Sequence, residues 1–353
     1  MNPSNRLNLN YQQLAQTFRK LPYPIIDVHS HINGGEATEI YARTADEHGV
    51  GLTFSMTSLR EIPRVKNILG DRIRFIAIPD FANKDRAAAI GKGYIETIPQ
   101  FKSHGAQIVK FWNAPRIYEA SDAPFAKSPF KLNAPERLEV MKVAMDLGMM
   151  FMAHVADPDT WFNTKFKDAN RYGTKHQQYE IFEEVLATFS APWIAAHMGG
   201  YPEDLKFISG LLERNRNLYL DCSATKWIVR ELSKHPPEAV RAFFTRWKGR
   251  ILFGSDIVTS DAHLSSSTNA SEMDAKASTP EDAYDLYASR YWALRTLLET
   301  DHVGASPIAD PDLHLVNPEQ YSLLDAPILR GCSLSDDVLE ALYFGAAQGL
   351  LGM

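Results

Sequence analysis

Short apolar segments recur along the whole chain, separated by polar loops and by longer stretches of mixed polarity. Eight of them are rich in β-branched or aromatic residues and are bounded by Gly, Pro or polar residues: 24–32, 50–58, 72–81, 105–112, 149–156, 192–199, 217–224 and 250–258. Continuous apolar runs of this length are typical of parallel strands that are buried on both faces. The pattern therefore predicts eight buried β-strands.

The segments between the apolar runs predict amphipathic helices. Residues 134–148, 176–189 and 202–215 place apolar side chains three and four positions apart, with charges on the opposite side. Strands that alternate with helices imply parallel β/α units joined by right-handed crossovers, and eight such units close into a barrel. A doubly wound sheet is the structural alternative, but no GxGxxG follows the first strand. We therefore predict an α/β fold, a (β/α)8 TIM barrel.

The residues after the eighth run predict an addition to this barrel. A polar segment (259–279) precedes a helix over 282–299, and a stretch punctuated by Pro and Gly leads to a closing helix. We interpret the chain as a single domain over 1–353. Its predicted parts are a barrel core over 22–258, a lid-like C-terminal extension or insertion over the barrel mouth at 259–334, and a closing helix at 335–353.

Composition narrows the class of protein further. Of 353 residues, 45% are hydrophobic and 23% are charged, which is enough apolar material for a large core and is unlike a disordered chain. The net charge of −6 argues against nucleic acid or an anionic membrane as a partner. Two cysteines, the lack of a signal-like N-terminus and the lack of an apolar stretch of about 18 residues predict a cytoplasmic protein with no membrane span.

Side chains that bind metals or protons stand near the ends of five predicted strands: His29, His31, Lys110, His154, His197 and Asp256. Singly, each has an ordinary explanation in packing, hydrogen bonding or capping. Jointly they point to a site, because the C-terminal ends of the strands of a parallel barrel build its active site. Imidazoles with a carboxylate suit Zn²⁺, with Mn²⁺ or Fe²⁺ as alternatives.

A family resemblance rests on these residues in their order. "IIDVHSHI" resembles the HxH signature of the amidohydrolase superfamily of metal-dependent barrel hydrolases, and "AQIVKFW", "FMAHVAD", "IAAHMGG" and "LFGSDIV" agree with its later markers. The segments "AHMGGYPEDL" and "NLYLDCSAT" and the closing helix are most similar to its amidohydrolase-2 branch, which contains hydrolases and non-oxidative decarboxylases.

The resemblance implies a role for each marker residue. His29, His31 and His154 would bind the metal, and Asp256 would contact the metal or its water and act as general base. His197 would polarise the scissile group or bind a second metal. Lys110 would be a carbamylated bridge in members with two metals and an unmodified lysine in members with one. We favour one metal, with two left open.

These expectations define a leading function and its rivals. The leading hypothesis is a metal-dependent hydrolase of a small, carboxylated substrate, in which a metal-activated water attacks and Asp256 moves protons. A decarboxylase of the same branch is the runner-up. A TatD-like nuclease is one rival, but it would be expected to have Glu in place of Lys110. Another rival is a barrel that has lost activity and serves as a binding scaffold. A homo-oligomer is a further expectation.

Residues near the predicted mouth could select the substrate. Arg230 and Lys226 follow the seventh strand and could hold a carboxylate, or could form salt bridges on a solvated helix face. Trp161 could line a pocket, or belong to a lid or the core. Asp157, just past His154, could take part in the site or cap the next helix.

Overall fold

Each predicted apolar run holds a β-strand in the computed structural model, which describes residues 2–266, 271 and 273–353. The runs contain β1 Ile25–His31, β2 Val50–Ser55, β3 Ile73–Ala77, β4 Ile108–Trp112, β5 Met150–His154, β6 Trp193–Ala195, β7 Leu218–Asp221, β8 Ile251–Leu252 and β9 Ile257–Val258. The eighth run differs from the expectation, because it is divided into β8 and β9 by a break at residues 253–256.

The strand order confirms the predicted fold class. The nine strands follow one another in the order β8-β7-β6-β5-β4-β3-β2-β1-β9. Neighbouring strands pair in parallel, for example β4 with β5 and β1 with β9. The order begins and ends on the two pieces of the eighth run, as in a (β/α)8 barrel of the TIM type. Two short strands, β10 Val303–Ala305 and β11 Ile328–Arg330, form a separate antiparallel pair.

Helices occupy most of the segments between the strands. Their bounds are α1 Tyr11–Ala15, α2 Glu36–Glu47, α3 Ile62–Leu69, α4 Arg86–Ile90, α5 Lys92–Ser103, α6 Pro135–Asp146, α7 Asp159–Phe162, α8 Ala169–Tyr172, α9 Lys175–Thr188, α10 Leu205–Arg214, α11 Thr225–Leu232, α12 Pro237–Arg246, α13 Pro280–Glu299, α14 Asp312–Val316, α15 Asp336–Glu340 and α16 Ala346–Leu351. The helices predicted over 134–148, 176–189 and 202–215 are confirmed as α6, α9 and α10.

Local sequence signals set where these helices begin. The Thr174 hydroxyl accepts from the backbone N–H of Gln177, whose side chain accepts from the backbone N–H of Thr174, a capping box that starts α9. Asp204 caps α10 by accepting from the backbone N–H of Phe207. Pro135 stands in the first turn of α6, where its missing N–H costs nothing.

The chain forms two compact units. The first unit comprises Met1–Arg74 and Cys222–Met353, and the second unit comprises Phe75–Asp221. The first unit contains β1, β2, β8 and β9 with the C-terminal helices, and the second contains β4 to β7 with the helices between them. The single domain expected over 1–353 stays a prediction.

The predicted C-terminal extension contains a long structural helix. Most residues of α13 are buried, and the Tyr291 hydroxyl on this helix donates to the carboxylate of Asp27 on β1. Residues 267–270 and 272 of the predicted extension lie outside the described residues, and its lid-like role stays a prediction. The predicted closing helix is confirmed: α15, a π turn over Ala341–Gly345 and α16 follow one another without a gap.

Candidate metal centre

Three of the predicted ligands come together in the first unit. His29 and His31 lie at the end of β1, and Asp256 lies in the break between β8 and β9. Oδ1 of Asp256 lies 3.5 Å from Nε2 of His29 and 3.3 Å from Nε2 of His31. One ligand atom from each of the three residues lies within 4.8 Å of the other two. Two ligands of one zinc ion are about 3.5 Å apart, because each bond is about 2.1 Å long. The metal triad His29, His31 and Asp256 therefore fits a divalent cation after small side-chain movements.

The divided eighth run positions the carboxylate of the metal triad. Asp256 has a φ of +58°, in the left-handed region that Asp tolerates better than most residues. Its backbone N–H donates to the carbonyl of His29 over 2.8 Å. The break thus ties the carboxylate-bearing residue directly to the strand that carries both imidazoles.

Asp27 supports the metal triad from inside β1. Its carboxylate is fully buried and accepts four hydrogen bonds, from the backbone N–H groups of His29 and Ser255 and from the hydroxyls of Ser255 and Tyr291. Burial raises the pKa of Asp27 to about 6, and these hydrogen bonds oppose the rise. In the sequence, the signal for this role is an acidic residue inside an apolar run that is predicted to be buried.

The surroundings of His29 favour metal binding through Nε2. The Ser223 hydroxyl lies 3.1 Å from Nδ1 of His29, whose side chain is 1% exposed. When Nδ1 donates its proton to Ser223, the Nε2 lone pair is available for a cation. His31 and Asp256 are 34% and 30% exposed, so solvent and a small ligand reach the triad from their side.

The second unit brings His154 and His197 together. Their ring centroids are 4.6 Å apart with an edge-to-face geometry, and Trp112 stacks on the His154 ring. Nε2 of His154 lies 3.0 Å from Oδ1 of Asp157, which is 1% exposed. Asp157 is therefore a partner of His154 rather than a helix cap, since the next helix begins after Pro158 without a side-chain cap.

Local backbone geometry fixes the position of His197. This residue has a φ of +60°, and its backbone N–H donates to Oδ1 of Asp221 over 2.9 Å. Gly200 follows with a φ of +81°, and a Cβ there would lie 2.1 Å from the carbonyl oxygen of Ala156. The turn after β6 therefore requires glycine at this position.

Lys110 is buried in β4 of the second unit. It pairs in register with Met152, and Trp112, two positions on, pairs with His154. Because side chains alternate along a strand, Lys110 and Trp112 share one face of β4. The carbamylation of Lys110 stays a prediction.

Arg230 does not have the surroundings expected of a substrate ligand. Its side chain is 3% exposed and contacts three carboxylates, Glu231 and Asp310 at 2.5 Å and Asp312 at 3.1 Å. Three acidic side chains neutralise this guanidinium, so the structure argues against a role in binding a carboxylated substrate. The salt bridges considered as its alternative are present, but they are buried rather than solvated.

The two other predicted substrate ligands have different surroundings. Trp161 is half-buried in α7, and the ammonium group of Lys165 lies 4.1 Å from the centre of its ring. Lys226 stands in the first turn of α11 and is partly accessible. Burial lowers the pKa of its ammonium group, and the charges of Asp310 and Asp312 oppose this effect. The roles of both residues in substrate binding stay predictions.

A comparison with protein families decides the relationship. The model of the amidohydrolase family matches residues 105–352, well over half of the chain. The chain belongs to the amidohydrolase family. No curated protein sequence matches it.

Several solved structures are similar to this amidohydrolase at low sequence identity. A probable 2-pyrone-4,6-dicarboxylic acid hydrolase from Acinetobacter baumannii, with citric acid bound, is 13% identical (TM-score 0.43; 75% of this chain and 91% of that chain covered). The 5-carboxyvanillate decarboxylase from Novosphingobium aromaticivorans, complexed with manganese, is 10% identical (TM-score 0.44; 94% and 97% covered). An amidohydrolase from Burkholderia multivorans with bound zinc is 10% identical (TM-score 0.40; 94% and 99% covered).

The donor set of this amidohydrolase agrees with a metal site. Two imidazoles and one carboxylate suit Zn²⁺, and they also suit Mn²⁺ or Fe²⁺. Members of this family typically bind a metal, and the metal triad supplies a place for one. Within the described residues, no helix is long and apolar enough to cross a membrane.

Proposed function

We propose that this amidohydrolase is a metal-dependent hydrolase of a small, carboxylated substrate. The observation that carries the proposal is the convergence of His29, His31 and Asp256, whose ligand atoms lie within 4.8 Å of one another. Two imidazole nitrogens that lie 3.5 and 3.3 Å from one carboxylate oxygen form a donor set that a divalent cation can bind. The metal triad would hold the cation, with Zn²⁺ favoured.

The chemistry follows from the position of Asp256. A bound divalent ion supplies positive charge that lowers the pKa of water and polarises a carbonyl group. The partly exposed carboxylate of Asp256 accepts a proton from water as its oxygen bonds to the carbonyl carbon of the substrate. Asp256 then returns the proton to the leaving nitrogen or oxygen as the bond between that atom and the carbonyl carbon breaks.

The other residues of the first unit orient these groups. Ser223 holds the ring of His29, and Asp27 holds the backbone of both His29 and Ser255. Fixed ligands and a fixed base lower the cost of reaching the transition state, because little reorganisation remains to be made. The predicted roles of His154, His197 and Lys110 come from the sequence, and the proposal does not depend on them.

The experiment that tests the function follows the oxygen of water. The protein is incubated in H₂¹⁸O with a panel of small carboxylated amides, lactones and esters, and the products are analysed by mass spectrometry. We expect ¹⁸O in the acid product, loss of activity with a chelator, and loss in Asp256→Asn. Release of CO₂ without ¹⁸O incorporation would replace hydrolysis by decarboxylation.

A matched control separates the metal triad from general effects of histidine loss. His176 is an exposed histidine of α9 in the second unit. We expect His176→Ala to keep full activity and His31→Ala to lose it. Equal activity in the two variants would contradict the proposed role of the metal triad.

A further inference from the structure

A small cavity lies beside β4 in the second unit. Its volume is about 10 Å³, which is close to the room that one water-sized molecule or monatomic ion needs. Its lining includes Tyr94 of α5, Phe111 of β4 and Arg137 of α6. Two of the lining residues are cationic, Lys110 and Arg137, and none of the described residues that line it is acidic. The cavity therefore favours a negatively charged occupant.

The cavity belongs to the layer between β4 and its helices. Side chains alternate along a strand, so Phe111 points to the opposite face of β4 from Lys110 and Trp112. Cζ of Arg137 lies 5.7 Å from the centre of the Phe111 ring. The ring of Tyr94 meets the same ring edge-on, with the two centroids 6.1 Å apart. These two helical side chains therefore pack on the helix side of β4.

Arg137 is a buried cation without an acidic partner among the described residues, which include the whole of the second unit. Its side chain is 3% exposed and contacts two backbone carbonyls and one aromatic ring. Two other buried arginines differ, since Arg230 contacts three carboxylates and Arg295 contacts Glu299. A buried charge without a counter-charge costs free energy, so Arg137 indicates a place for an anion.

The hydrogen bonds of Arg137 leave one edge of its guanidinium unused. Nη1 donates to the carbonyls of Trp112 and Phe130, both at 2.7 Å. Nε is sealed from bulk solvent and donates to no acceptor among the described residues. Nε1 of Trp112, which also lines the cavity, is a second sealed donor without an acceptor in the described part of the chain. Buried N–H groups of this kind indicate a bound water molecule or ion.

A water molecule and an anion could both accept these hydrogen bonds, but only an anion offsets the charge. Burial lowers the pKa of Arg137 to about 10, and interactions with Tyr118 and Tyr94 oppose the fall. The guanidinium is therefore still protonated at pH 7, and its positive charge is present inside the protein. Lys110, which is 8% exposed, is a second cationic residue of the lining. An anion is favoured over water because it compensates this buried positive charge.

We propose that this cavity binds one monovalent anion of about the size of a water molecule, with chloride as the abundant one. Nε of Arg137 donates the principal hydrogen bond, and Nε1 of Trp112 donates the second. The small volume leaves no room for phosphate or an organic acid, so this is not a substrate site. The Trp112 ring stacks on that of His154, so the anion also helps to fix a neighbour of the candidate site.

Unfolding in urea, which carries no charge, measures anion binding through stability. The chloride concentration is raised while sodium gluconate keeps the ionic strength constant, because gluconate is too large for the cavity. A ligand that binds only the folded protein raises the urea midpoint as its concentration increases. We expect this rise in the wild type and in Arg216→Met, which removes an exposed cation of the same unit. We expect affinity for chloride to fall about 10-fold or more in Arg137→Met.

Conservative variants separate binding from folding. Arg137→Lys keeps a positive charge but loses the donor at Nε, and Trp112→Phe keeps an aromatic ring but loses its N–H group. We expect both variants to keep the wild-type circular dichroism spectrum and to bind chloride about 10-fold or more weakly. An equal rise of the urea midpoint in the wild type, Arg137→Lys and Trp112→Phe would overturn the inference, as would the absence of any rise in the wild type.

Bromide locates the ion directly, because it replaces chloride and has a strong anomalous X-ray signal. We expect crystals grown in sodium bromide to show one anomalous peak beside Nε of Arg137 in the wild type, and none there in Arg137→Lys. The double variant His29→Ala, His31→Ala removes the metal triad and is expected to keep the peak, since the inference does not rest on the proposed function. A water molecule at this position without an anomalous peak would overturn the inference.

Discussion

The backbone N–H of Asp256 donates a 2.8 Å hydrogen bond to the carbonyl of His29. This bond joins the break between β8 and β9 to β1 through two residues that carry proposed metal ligands. The backbone therefore holds Asp256 and His29 next to each other, whichever rotamers their side chains adopt. Substitutions that disturb this junction are expected to affect metal binding even where no ligand is changed.

Asp27→Asn tests the support beneath the junction. Each oxygen of the Asp27 carboxylate accepts two hydrogen bonds. In Asn, an NH₂ group would replace one of these oxygens and would face two donors without being able to accept from them. We expect a loss of about 1–3 kcal/mol in the free energy of unfolding and a fall in metal affinity of about 10–100-fold. Denaturant unfolding and a metal titration measure the two effects; an unchanged metal affinity would show that Asp27 serves the fold alone.

Gly200→Ala tests the turn that holds His197. The new Cβ would lie 2.1 Å from the Ala156 carbonyl oxygen, at a φ of +81°. We expect a loss of more than about 2 kcal/mol in the free energy of unfolding, because both the contact and the backbone conformation are unfavourable. Gly249→Ala is the matched control, with a φ of +83° and open space around the new Cβ. Equal losses in the two variants would show that backbone conformation alone matters.

Arg230→Met tests the buried cluster of Arg230 with Glu231, Asp310 and Asp312. Removing the guanidinium leaves buried carboxylates without their closest cation, so we expect a loss of about 3–5 kcal/mol in stability. Lys248→Met removes an exposed ion pair with Asp337 and is expected to cost about 1 kcal/mol or less. An unchanged free energy of unfolding in Arg230→Met would show that this cluster does not stabilise the fold.

His48 gives the stability a defined dependence on pH. Burial lowers its pKa to about 4 and the charge of Arg295 contributes, while a hydrogen bond to the Thr44 carbonyl opposes the fall. As the pH falls below 6.5, His48 binds a proton in the unfolded chain but stays neutral in the folded protein. The free energy of unfolding therefore decreases between pH 6.5 and pH 4. The loss from this group is at most about 3 kcal/mol.

The corresponding measurement compares unfolding free energies at pH 7 and pH 5. We expect His48→Gln to flatten the difference between the two values relative to the wild type. His176→Gln changes an exposed histidine and is expected to keep the wild-type difference. The same pH dependence in all three proteins would show that the pKa of His48 is not lowered in the folded state.

The strands and main helices could be predicted from the sequence, because each buried strand is marked by its own run of apolar residues. The eight apolar runs and the main helices needed no long-range information, since each is marked by its own periodicity and its bounding residues. The division of the eighth run was not predicted. It depends on Ser255 bonding to Asp27, which lies 228 positions earlier in the chain.

The candidate site was predictable where strand ends carry the chemistry and less so elsewhere. His29, His31 and Asp256 follow from their positions on predicted strands. Tyr291 lies on the helix predicted over 282–299, where amphipathic periodicity gives no sign that its hydroxyl donates to Asp27, 264 positions earlier in the chain. Arg230 is the opposite case: its type and place suggested substrate binding, but acidic residues 80 and 82 positions away neutralise it.

The metal content of the purified protein tests the central claim most directly. Elemental analysis by plasma mass spectrometry is applied to the wild type, to the double variant His29→Ala, His31→Ala, and to His176→Ala as the control. The account predicts about one divalent ion per chain in the wild type and the control, and a loss of about 10-fold or more in the double variant. Equal metal content in a folded double variant would contradict it.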